Sequence, residues 1–132
     1  MIITIQIVGK ILHSFEDDCL HVIAHDNDLN AAVKSLESHQ PNIILLDYDF
    51  LKTRSTLFIK SLHLFSAESK IIMLGSGLQE NHLIDCLLAG IYGYLDEKDF
   101  EMFFVRAIKA VDSGEAWISR CIVAKLIESV RG

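Results

Sequence analysis

At 132 residues the chain has room for one domain with a real core and not for two. Its 51% hydrophobic and 23% charged residues, with a single proline, exclude a low-complexity or disordered polymer, and no apolar run approaches the roughly 20 residues needed to cross a bilayer. Twelve Lys and Arg against 18 Asp and Glu leave a charge of −6, the wrong sign for a surface that neutralises phosphates, so nucleic acid is not expected as a direct partner.

Ile2–Val8 is β-branched almost throughout and ends at Gly9, as a strand covered on both faces would be; it has no basic region before it and no cleavage site after it, unlike a signal peptide. A short segment from Lys10 to about Asp18 leads to a second strand, Leu20–Ala24. Asp26-Asn-Asp28 supplies capping side chains for a helix carrying Leu29, Ala32, Val33 and Leu36, which Pro41 stops. Ile43–Leu46 reads as the third strand, Asp47-Tyr-Asp49 as an acidic turn, Ser55–Phe65 as a helix and Ile71–Leu74 as the fourth strand. After Gly75-Ser-Gly77 come a helix from Asn81 to Ala89 stopped by Gly90, a short strand at Tyr92–Leu95, a long helix with Asp99 as N-cap ending near Gly114, and a last helix capped by Ser119.

Strands alternating with helices, the strands apolar on both faces, predict a single α/β domain with a parallel sheet sandwiched by helices. In such a sheet the site lies at the carboxyl ends of the strands, which are Gly9-Lys10, Asp47-Tyr-Asp49, Gly75-Ser-Gly77 and Asp96-Glu-Lys98. Cys19, Cys86 and Cys121 are widely spaced among apolar residues, which predicts buried reduced thiols and a cytoplasmic chain. The six histidines are spread along the chain and no Cys-x-x-Cys pair accompanies them, so neither a metal nor a cofactor is expected. His13, near the short first helix, is read as a surface or packing residue rather than an acid or base.

Pro41-Asn-Ile-Ile-Leu-Leu-Asp47, Ile71-Ile-Met-Leu74 and Ala89-Gly-Ile-Tyr-Gly-Tyr-Leu95 together resemble a bacterial response-regulator receiver domain. Ala107-Ile-Lys-Ala-Val-Asp-Ser-Gly-Glu-Ala-Trp-Ile-Ser119 is similar to the segment that leaves the receiver in regulators of the NarL/LuxR type. The resemblance runs from about Leu20 to the last residue and is poorer before Leu20, where the first helix is about two turns shorter than the family's. It implies a flavodoxin-like, doubly wound sheet of five parallel strands in the order 2-1-3-4-5. It also implies a receiver domain over 1–115 and, over 116–132, a helix or linker toward an output helix-turn-helix that is not in this chain.

The family's chemistry is phosphoryl transfer to an aspartate at the end of the third strand, and Asp47 holds that position. The family's other parts are changed. Where it places an acidic, metal-binding pair after the first strand, this sequence has Gly9-Lys10; where it places a hydroxyl after the fourth strand, Gly75 stands, with Ser76 one residue late. Counting from Tyr94, which matches the family's aromatic switch position, the lysine site after the fifth strand holds Glu97, with Lys98 next door. One unit-charge pair at roughly 5 Å and an effective dielectric near 20 is worth about 3 kcal/mol, so exchanging a cation for an anion there moves the balance by up to about 6 kcal/mol. Lys10 is expected to replace the metal and pair with Asp47, shared with Glu97 or Asp49; Asp17 and Asp18 are the remaining candidate ligands.

In the long helix, Phe104, Val105, Ile108 and Val111 form the inward stripe by 3.6-residue spacing, which leaves Phe103 off its centre and Phe100 and Met102 on the flank. Excess apolar surface of this kind marks association, and the resemblance points to the same face, with Tyr92, Met102, Phe103 and Arg106 in a homodimer contact. The expectation is therefore a degenerate, non-enzymatic receiver of a two-component transcriptional regulator, acting by dimerisation without phosphorylation. A sensor kinase is a possible partner, and DNA is reached only through the absent output domain. The alternatives are a phosphate- or nucleotide-binding module around Gly75-Ser-Gly77 and an Asp47 phosphoacceptor with unusual metal ligands.

Overall fold

The computed structural model describes residues 2–9 and 17–131. Five parallel strands, β1 (Ile3–Val8), β2 (Leu20–Asp26), β3 (Ile43–Asp47), β4 (Lys70–Gly75) and β5 (Gly93–Asp96), lie in the order β2-β1-β3-β4-β5. Between and after them run α1 (Leu29–His39), α2 (Tyr48–Leu51), α3 (Ser55–Phe65), α4 (Glu80–Ala89), α5 (Phe100–Asp112) and α6 (Arg120–Arg131). The expected sheet and strand order are both present.

Period-two alternation sends neighbouring strand residues to opposite layers. Ile43, Leu45, Ile72, Leu74 and Leu95 pack under α5 with Phe100, Phe104, Ala107, Ile108 and Val111, whereas Ile44, Leu46, Ile71 and Met73 pack under α1, α3 and α4. Both faces of β1, β3 and β4 are buried, which is why those strands read as continuous apolar runs. β2 departs from that expectation. It pairs only with β1, and with His21 and Val22 exposed it is an edge strand rather than a two-sided one.

Local chemistry places most helix ends. Asp28 caps α1 by accepting the Asn30 N–H at 2.8 Å, and Gln40, left-handed at φ 46°, closes it just before Pro41. Two expectations need correction. Asp47-Tyr-Asp49 is not an isolated turn: the Asp47 carboxylate accepts the Asp49 N–H at 3.0 Å and starts α2. Asp99 is not the side-chain cap of α5; Asp96 accepts the Lys98 N–H at 3.2 Å and starts a 3-10 turn, Glu97–Asp99, that runs into the helix.

The α5 stripe also differs in detail. Phe100 is buried at 2% exposure and packs on Phe104 with ring centroids 4.5 Å apart, while Val105 is only half-buried. Of the three thiols only Cys86 is buried; Cys19 is intermediate and Cys121 exposed.

Beyond α5 the chain turns back along the sheet. Trp117 donates its N–H to Tyr92 O at 3.1 Å and accepts the Tyr94 N–H at 3.0 Å, so it pairs beside β5 in a parallel bridge to Gly93. A Cβ on Gly93 would lie 3.0 Å from Trp117 Cβ, which makes a glycine the tolerant residue there. Ser119 Oγ accepts the Ile122 N–H at 3.3 Å at the start of α6, and α6 is fastened to α4 by buried Ile122 and a Lys125–Glu80 ion pair.

Candidate functional site

Parallel strands bring their carboxyl ends to one rim, where Gly9, Asp47, Gly75 and Asp96 stand at or next to the last residue of β1, β3, β4 and β5. Asp47 is half-buried there and lies against Gly9: a Cβ on Gly9 would sit 2.5 Å from Asp47 Cβ and 3.2 Å from Asp47 Oδ2. Gly9 has φ +114°, a region other residues enter only with strain. Its backbone is held from both sides, its N–H donating to Asp26 O at 2.9 Å and its carbonyl meeting His25 Nε2 at 2.8 Å.

A glycine also ends β4. A Cβ on Gly75 would meet the Tyr94 hydroxyl at 3.1 Å and its Cε1 at 3.2 Å, because the Tyr94 ring lies over that position. Burial pushes the Tyr94 phenol up to about 12; a hydrogen bond from the Leu78 backbone opposes this, and the Asp96 and Asp49 carboxylates add to it.

Asp96 ties this arrangement together. Its Oδ2 accepts the Gly77 N–H at 3.1 Å and a long contact from the Tyr94 hydroxyl at 3.4 Å, and its Oδ1 accepts the Lys98 N–H. Partial desolvation raises its pKa, but the Gly77 and Lys98 N–H groups and the Lys98 charge outweigh this, so Asp96 stays below the ordinary carboxylate value. The sequence reading missed Asp96 as an individual site residue. Its signal is an Asp directly before a short turn, which gives no hint of the loop 19 residues upstream that it binds.

The other expected pocket residues divide clearly. Asp49, Ser76, Glu97 and Lys98 are exposed at the rim, and Tyr48 of α2 reaches α4, its hydroxyl 3.4 Å from His82 Nδ1. Lys10, with its expected ion pair to Asp47, and His13 lie outside the described residues. Asp17 and Asp18 are at the opposite end of the sheet, because Asp17 precedes the start of β2; Asp17 accepts the Cys19 N–H at 2.9 Å and lies 3.6 Å from Lys109 Nζ. They cannot serve a metal beside Asp47.

The receiver resemblance implies a divalent cation at this rim, and the described residues do not fit one. Gly9 offers no ligand and no space for one, and the next side chain is a lysine ammonium. No group of three His, Cys, Asp or Glu side chains among the described residues is placed to hold a metal. The Gly75-Ser-Gly77 loop does not form a phosphate cradle, since the Gly77 N–H already points to a carboxylate.

On the expected contact face, Met102 is 77% exposed and Tyr92 39% exposed, and Arg106 is exposed. Phe103 is half-buried, between the Arg106 guanidinium 5.7 Å from its centroid and the Trp117 ring at 6.2 Å. The segment after α5 thus covers part of the surface that the helix spacing left open. No helix is long and apolar enough to cross a membrane among the described residues.

No family model matches the chain. It is 26% identical over 110 residues to the transcriptional regulatory protein DegU of Brevibacillus brevis, covering 83% of this chain and 47% of that one, so it spans about half the length of the curated relative. It superposes on the crystal structure of a LuxR-family two-component response regulator from an Aurantimonas species with a TM-score of 0.80, at 16% identity and full coverage of both chains. The isolated receiver domain of RcsB from Salmonella enterica in its apo form gives 0.81 at 16% identity, covering 96% of this chain and 98% of that one. A further similar structure contains two RcsB dimers bound to two parallel DNAs, with a TM-score of 0.75 at 15% identity, covering 97% of this chain and 69% of that one. The strand order, the rim built at the strand ends and these superpositions agree: the chain has the fold of response-regulator receiver domains.

Proposed function

We propose that the chain is a receiver-like signalling module of a two-component-type transcriptional regulator that works without phosphorylation and acts through protein contact as a homodimer. The observation that carries this reading is the packing of the two strand-end glycines. Asp47 fills the space over Gly9 where a metal ligand is needed, and Tyr94 fills the space over Gly75 where a phosphoryl-binding hydroxyl is needed. Glu97 stands where the resemblance expects a lysine, which removes from the sequence the cation that pairs with an acyl phosphate. Regulation then rests on contact, through a face on which Met102 and Arg106, one helical turn apart, are both exposed. Any DNA contact of the whole regulator is made through an output part outside this fold.

Two measurements test the proposal. Incubation with acetyl phosphate and Mg²⁺ is expected to leave the intact mass unchanged; a stoichiometric phosphoryl adduct abolished by Asp47→Asn would instead establish a phosphoacceptor with unusual ligands. Sedimentation is expected to give a concentration-dependent dimer that Met102→Asp converts to monomer, since a central contact side chain carries about 2 kcal/mol or more, roughly a thirtyfold change in Kd. Phe103→Asp is the poorer variant, because Phe103 also packs on Trp117. A monomer at all concentrations refutes the contact mechanism.

A further inference from the structure

The returning segment does more than cover β5. Together with α4, β5 and the start of α5 it encloses a cleft of about 560 Å³. Three aromatic side chains from three separate stretches of chain line it: Tyr94 of β5, Phe103 of α5 and Trp117 of the returning segment. All three are half-buried, so their rings are neither lost in the core nor fully in water. Asp96, Lys98 and Asp99 supply the charged part of the lining.

The balance of that lining is anionic. Asp96 remains ionised because backbone N–H groups hold its carboxylate, and the adjacent Lys98 offsets it. Asp99 is the surplus charge: it stands where α5 begins and its side chain caps no N–H of that helix. Aromatic faces carry negative quadrupole potential, so three of them with a net carboxylate attract a cation with an apolar body, and repel an anion of the same shape. The outer neighbour of Phe103 already illustrates the preference, with the Arg106 guanidinium set 5.7 Å from the ring.

The geometry points to a binding site for a small organic cation with a flat apolar body, such as a protonated arylalkylamine. This goes beyond the contact mechanism and does not depend on it. The site borders the expected contact face at Phe103, and it reaches the strand-end rim because Tyr94 and Asp96 are at once lining residues and the groups that hold the loop after β4. An occupant between Tyr94 and Trp117 therefore acts on the loop at Gly77 without any phosphoryl group.

Trp117 is the single tryptophan, so its indole N–H gives one resonance that reports the cleft directly. We expect 1-naphthylmethylammonium to shift this resonance saturably, with a Kd at least fivefold below that of 1-naphthalenemethanol, and 1-naphthylacetate to bind more weakly than either. Asp99→Asn is expected to reduce the preference for the cation to below fivefold while leaving alcohol binding unchanged. Lys98→Gln, at an exposed position, is expected to tighten only the cation. A wild-type preference below fivefold, a stronger response to the anion, or no saturable shift with any probe overturns the proposal. Sedimentation of the same samples reads association separately, so failure of the ligand site and failure of the dimer are distinguishable.

Discussion

Placing a carboxylate at the end of β1 tests how closely Asp47 packs against Gly9. In Gly9→Asp the new Cβ begins 2.5 Å from Asp47 Cβ, about an ångström inside ordinary contact, and the backbone cannot retreat easily because its N–H and carbonyl are bonded to Asp26 and His25. Two costs add. Holding a side-chain-bearing residue at φ +114° costs about 1–3 kcal/mol, and forcing extra volume into a packed site costs about 1–3 kcal/mol more. The variant should thus lose roughly 4 kcal/mol of the typical 5–15 kcal/mol of a domain, read as a lower urea midpoint at unchanged slope. Gly9→Ala should show most of that loss, which separates strain from charge. The added carboxylate should not yield phosphorylation by acetyl phosphate with Mg²⁺. A Gly9→Asp protein as stable as the parent, taking up a phosphoryl group on Asp47, would refute the reasoning at its root.

Three other outcomes follow from the same packing. Because Asp96 titrates below the ordinary carboxylate value of 3.8, its ionised form favours the folded state: the stability lost in Asp96→Asn should be seen in full above about pH 5 and vanish as pH falls through the lowered pKa, measured by melting both proteins across pH. Burial pushes the Cys86 thiol up to about 11, whereas Cys121 is exposed, so maleimide at neutral pH should label Cys121 first and Cys86 only when the fold opens, as peptide mapping can show. Ile122→Ala should cost about 2 kcal/mol as a buried large-to-small change at a peripheral helix, and hydrogen exchange should quicken at Tyr94 and Trp117; unchanged exchange would mean that α6 does not hold the returning segment in place.

Much of this protein was already determined by its sequence. β1, β3 and β4 are runs of β-branched and aliphatic residues, Asp28 and Ser119 cap α1 and α6, and Ser55–Phe65 coincides with α3 from end to end, because these signals act over a few neighbouring residues. The proposed loss of pocket chemistry is equally local, since it rests on the identities of glycine at 9 and 75 and glutamate at 97. The tertiary structure alone decided what packs over the two glycines. Asp47 settling over Gly9, Tyr94 over Gly75, Asp96 reaching Gly77 and Trp117 pairing beside β5 join residues 19 to 38 positions apart. The half-buried state of Phe103 depends on the same returning segment, since a helical wheel places a side chain relative to its own axis only. Such contacts are selected by the competition of whole surfaces for burial, with backbone groups at a sheet edge seeking partners wherever the chain can supply them.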